Sequence, residues 1–123
     1  MNKIVFFVCA FIFSFIKIDA QTSLNIFEEF KNGDSKSLSS YFNQNVEINI
    51  SGMADNIFSK SQAEQIMKVF FNEYKPTGFK LFHKGGKDDY QYFIGVLYSE
   101  NQKFRTYFLI KNNILHQLRM EKI

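Results

Sequence analysis

The chain has 123 residues, 46% hydrophobic and 18% aromatic, which is material for one domain with a substantial core. Fifteen cations against twelve anions leave a formal charge of +3, too mild a balance to point to nucleic acid. The only cysteine, Cys9, excludes a disulfide framework.

Residues 1–20 are expected to be a leader and not part of the domain. Lys3 gives a short positive start, Ile4 to Ile16 is an apolar run too short to span a bilayer, and Ala20 is the small residue that signal peptidase requires. Cleavage between Ala20 and Gln21 makes residues 21–123 the mature domain, directed to the periplasm or the extracellular space, with no stable membrane anchor. Cys9 follows Val8 instead of a small residue, which argues against lipid attachment, and it leaves with the leader. The mature chain then holds 13 cations and 11 anions, a net of +2, and must be stabilised by its core.

Leu24, Ile26, Phe27 and Phe30 predict a short helix ended by Asn32-Gly33. Asp34 caps a second short helix carrying Leu38, Tyr41 and Phe42, and Val46, Ile48 and Ile50 alternate with Glu47 and Asn49 as a half-buried strand. A polar turn over 51–56 leads to a short extended piece at Ile57-Phe58.

Ser59 to Tyr74 is the one long helical stretch. Ala63, Ile66, Met67, Phe70, Phe71 and Tyr74 form a broad apolar stripe, Ser59 with Gln62 offers a capping box and Ser61 with Glu64 a second, and Pro76 ends the segment. Beyond it the period changes to two. Phe79 to Lys84, Tyr90 to Ser99, Phe104 to Lys111 and Ile114 to Glu121 predict four strands joined by hairpin turns, one of them Lys84 to Asp89. The expected fold is α+β, with the N-terminal helices and the long helix packed on a curved antiparallel sheet.

This order of elements, with KNGDSKSL at 31–38, YFNQNVEI at 41–48, FSKSQAEQIM at 58–67, YFIGVL at 92–97, RTYFLIK at 105–111 and QLRMEK at 117–122, resembles a family of small exported Gram-negative bacterial proteins. That family is a domain of unknown function with the nuclear-transport-factor-2-like, cone-shaped fold. The resemblance implies a fold and no activity, since the wider superfamily holds dehydratases, isomerases and epoxide hydrolases alongside binding and dimerisation modules.

No His/Cys cluster has metal-ligand spacing, no glycine-rich loop opens a helix and no serine sits at a nucleophile elbow, so neither metal nor cofactor is expected. His116 shares period-two parity with Ile114, Leu118 and Met120, which predicts an imidazole pointing into the cone. His83 is expected at its rim. The residues expected to meet a ligand are His116, His83, Tyr92, Phe70 and Phe108.

Two functions fit. One is a non-enzymatic exported module that binds a small apolar ligand or a protein partner in the cone or at its rim. The other is a cofactor-free acid/base enzyme of dehydratase or isomerase type, with His116 as base and Tyr107 as hydrogen-bond donor. Both faces of the sheet centre read as apolar, yet the helices supply a single layer. A homodimer is therefore expected, packed through the bare sheet face with Phe93, Leu97, Tyr107 and Leu109 at the contact.

Overall fold

The computed structural model describes residues 21–123, so the expected leader and its cleavage point lie outside the described residues. Helix α1 covers residues 21–32 of that range and stops at Gly33, which takes φ +68°. A left-handed residue there lets the N–H groups of Gly33 and Asp34 reach Phe30 O and Glu29 O, both at 3.1 Å. The Asp34 carboxylate then accepts the Ser37 N–H at 3.0 Å and caps α2 (Ser35–Ser39).

The second helix is shorter than its apolar residues suggest. Phe42, expected on its face, instead opens β1 (Phe42–Ile50) and pairs with Leu115. A register shift between Phe42 and Glu47 absorbs the polar run Asn43-Gln44-Asn45. After a turn with Gly52 at φ +75°, β2 (Ala54–Ser59) folds back on β1.

Helix α3 (Lys60–Glu73) starts at the capping box foreseen from sequence: Ser59 Oγ accepts the Gln62 N–H at 3.3 Å, and Gln62 Oε1 accepts the Ser59 N–H at 3.2 Å. Ala63, Met67, Phe70 and Phe71 of its stripe are buried. Among the described residues no helix is long and apolar enough to cross a membrane.

The remaining strands are β3 (Pro76–Lys87), β4 (Tyr90–Ser99), β5 (Lys103–Lys111) and β6 (Ile114–Lys122). Lys84 to Lys87, read from sequence as part of a hairpin loop, belongs to β3. The turn is only Asp88-Asp89. Gly85 lies in the strand because the Tyr92 ring lies across it, so close that a Cβ would stand 2.4 Å from the phenol.

Strand order is β2-β1-β6-β5-β4-β3, and β1 joins β6 in parallel, so the sheet is mixed and not antiparallel throughout. That pairing closes at both ends. Leu115 N–H donates to Tyr41 O at 2.7 Å, and Ser51 N–H to Met120 O at 3.0 Å.

The core lies between the helices and one face of this sheet, called here the inner face. Phe30 and Phe27 of α1, Phe70 and Phe71 of α3, and Phe79, Phe104 and Phe108 of the sheet form a chain of mostly edge-to-face contacts with centroids 5.0–5.9 Å apart. These rings fill the space that a hollow cone would hold open.

Candidate functional site

Cross-strand register settles which residues share each face. Phe93 pairs with Phe108, Leu97 with Phe104 and Gly95 with Thr106, and all six are buried on the inner face. Phe93 and Leu97 are only 4% and 0% exposed, so they cannot belong to the bare face as expected from sequence. Period two holds within each of these strands, but the phase of one against the other is set only by their pairing. Phe93 and Leu97 go with Phe108 and Ile110, whereas Tyr92, Ile94 and Val96 go with Tyr107 and Leu109.

The outer face therefore carries Tyr92, Ile94, Val96 and Tyr98 of β4 beside Tyr107 and Leu109 of β5, all half-buried. The helices pack on the opposite side. Tyr92 and Tyr107 stack at 6.2 Å with planes 24° apart, and the His83 ring of β3 sits 5.7 Å from Tyr92. The Tyr92 hydroxyl and His83 Nε2 are 3.5 Å apart, at the outer limit of a hydrogen bond. Burial pushes the Tyr107 phenol pKa up, and neighbouring Tyr92 adds to the shift while Arg119 opposes it.

Toward β6 and β1 the same face turns polar. Arg119 lies beside Tyr107, and the Gln117 amide donates to the Glu47 carboxylate across the parallel pair. The outer face thus has an aromatic and aliphatic patch over β4 and the middle of β5, bordered by the exposed Arg105 and Lys103 opposite Val96 and Tyr98, and a hydrophilic half over β6 and β1.

His116 does not sit where period two put it. The register shifts between Leu109 and Ile110: Leu109 faces Gln117 and Ile110 faces Leu115, leaving His116 as the extra residue of a bulge. Leu115 takes the buried place expected for Ile114, which is 39% exposed, and His116 is half-buried next to the core, not inside it. Burial lowers its pKa, and the nearby Lys111 charge adds to that.

The structure therefore divides the residues singled out from sequence. Phe70 and Phe108 are fully buried in the inner ring cluster, His83 and Tyr92 meet on the outer face, and His116 stands apart at the bulge. Tyr107 pairs with Arg119 and Ile94, and no hydrogen bond joins it to His116 among the described residues. Arg119 and the Gln117–Glu47 contact escaped sequence reasoning as site features. The pairing of β1 with β6 that assembles them spans about seventy positions in sequence, and no local pattern announces it.

Open clefts lie on the rim. One of about 460 Å³ is lined by the end of α3 and Ser99 to Gln102, one of about 570 Å³ runs on the other side of that turn to Ile123, and one of about 260 Å³ lies along Lys84 to Asp88. None of the three is lined by His116, Tyr107, Phe70 or Phe108. Among the described residues no group of three or more His, Cys, Asp or Glu side chains is placed to hold a metal ion.

Comparison with known proteins follows the fold. A Bacteroides ovatus protein of the DUF4783 family is 32% identical, with a TM-score of 0.74 over 80% of this chain and 93% of its own. A Bacteroides uniformis protein of that family is 29% identical, with a TM-score of 0.74 over 80% and 94%. A Burkholderia xenovorans nuclear-transport-factor-2-like protein of unknown function is 9% identical, with a TM-score of 0.65 over 85% of this chain and 81% of its own, and shows the fold alone. Among functionally curated proteins there is no match. The family model for the domain of unknown function DUF4783 matches residues 23–123, and the chain belongs to that family, with the nuclear-transport-factor-2-like α+β fold.

Proposed function

We propose that the protein is an exported, non-enzymatic binding module that works through the outer face of its sheet, and that a second copy of the chain covers the aromatic half of that face. The observation that carries this reading is the row of Tyr92, Ile94, Val96, Tyr107 and Leu109, left half-buried on the side of the sheet that no helix among the described residues covers. Apolar side chains in one contiguous row favour a protein occupant. The inner rings are packed against one another, which argues against a small apolar ligand inside the cone.

A two-fold arrangement brings the same row from two copies face to face, and an ordinary interface of about 1,200–2,000 Å² in total would cover it. Tyr107 stands opposite Arg119, three places along β6 from His116, which supports a binding role over acid/base catalysis by that pair. Light scattering after size exclusion should give a dimeric mass at micromolar concentration. Ile94→Glu should make the protein monomeric while leaving its circular dichroism unchanged, and a monomeric parent protein overturns the reading. Export has its own check: mass spectrometry of the native protein should find Gln21 at the amino terminus, and a retained leader refutes it.

A further inference from the structure

Among the described residues strand β3 is the edge of the sheet next to β4, twelve residues long with bulges at Thr77 and Phe82, and paired on one side only. Among the described residues, Pro76–Lys87 forms no backbone hydrogen bond outside its ladder with β4. Its outward edge therefore leaves main-chain donors and acceptors to solvent, the arrangement that lets an extended segment add as a further strand.

Charge along this edge is one-sided. From Lys75 to Lys87 the chain carries four lysines and His83, with no carboxylate until Asp88. Lys80, Lys84 and Lys87 are exposed. Between them Leu81 and Phe82 are 39% and 58% exposed, with the Lys80 ammonium 5.3 Å over the Phe82 ring. The opposite edge differs. Strand β2 is six residues long and contains Asp55 and no cation.

We propose that β3 is a docking edge for an extended, acidic segment of another protein, which adds to the sheet as a seventh strand. Main-chain bonds to β3 hold the segment, and its carboxylates meet Lys80 and Lys87 on the outer face, where they pair with Val96 and Tyr90, while Lys84, paired with Phe93, adds its charge from the inner face. A second copy of this chain does not fit, because antiparallel pairing of β3 with itself sets lysine-rich strands against each other. The site lies on the sheet edge and leaves the outer face free, so it stands independently of the dimer.

The test uses two synthetic ten-residue peptides, one alternating glutamate with valine and one alternating lysine with valine, added to the mature protein at neutral pH. Amide shifts confined to Pro76–Lys87, slowed hydrogen exchange there, and binding of the glutamate peptide at least about tenfold tighter than the lysine peptide are expected, with that preference fading in about 0.5 M salt. The triple variant K80E/K84E/K87E should reverse the preference, and its exposed positions leave the fold intact, checked by circular dichroism. Equal binding of the two peptides, no binding, or shifts centred away from β3 overturns the proposal and leaves the lysines as guards against edge-to-edge aggregation.

Discussion

The two faces of the central strands are made of the same chain, residue by residue in alternation, yet they have different fates. On the inner face Phe93, Leu97, Phe104 and Phe108 are closed off by helix side chains, while one residue along, Tyr92, Ile94, Val96 and Tyr107 stay half open. Inner positions use phenylalanine and leucine, which need no polar partner. Outer positions include tyrosines, whose rings pack while their hydroxyls reach water. What separates the core face from the open face here is thus the tolerance of each residue for a wet edge, more than apolar content.

The sharpest contrast is between neighbours in β5. Phe108→Ala should lower unfolding free energy by about 3–5 kcal/mol, because its ring is fully buried against Phe27, Phe30 and Phe79. Tyr107→Ala, assayed in the monomeric background Ile94→Glu, should cost about 1 kcal/mol or less, since that side chain is half exposed. Urea titrations compare the two, and equal costs would break the distinction between the faces.

Glycines sharpen the comparison at a smaller scale. A Cβ on Gly95 would lie 2.5 Å from the Phe79 ring and 2.6 Å from Lys80 O, and the backbone oxygen cannot step aside. Gly95→Ala should therefore cost about 1–3 kcal/mol. On the outer face a Cβ on Gly85 meets only the far end of the Tyr92 side chain, which can swing outward. Gly85→Ala should cost less than Gly95→Ala, and melting temperatures that rank the other way would show the Tyr92 ring to be held as firmly as the core.

The smallest expected effect concerns His116, at the junction of the two faces. Burial holds its folded pKa below the ordinary value of 6.5, so the unfolded chain takes up the proton first as pH falls. Its contribution to stability is complete above the unfolded pKa and is lost as pH drops through the folded one. Thermal unfolding between pH 8 and pH 5 should show this loss, and His116→Gln should flatten the curve in that window by less than about 1 kcal/mol.

Local signals in the sequence located what local physics decides. The Ser59–Gln62 box, the stripe from Ala63 to Phe71, Gly33 after α1 and the β4, β5 and β6 runs all appear in place. What stayed hidden depends on partners distant in sequence. Phe42 joins a strand because Leu115 is there to pair with it, and the phase of β4 against β5 is a register that neither strand encodes alone. The bulge at His116 inverts period two within a single strand, so the parity that put an imidazole in the cone was true of Leu118 and Met120 and false four residues earlier. Of the site, the tyrosines were legible as residues and illegible as a surface.

The parallel pairing of β1 with β6 has a consequence for the order of events during folding. Strands β1 and β2 can form a hairpin as soon as they are made, but the other side of β1 has no neighbour until β6, which follows every other strand, arrives between it and β5. Until then the sheet exists as two separate ribbons with an unmade seam through the middle, and Val46, Ile48 and Ile50 have no Leu118 or Met120 to pack beside. A chain emerging from one end toward the other therefore cannot finish its N-terminal half early. Joining β1 to β6 closes a long loop, a non-local pairing of the kind that slows folding.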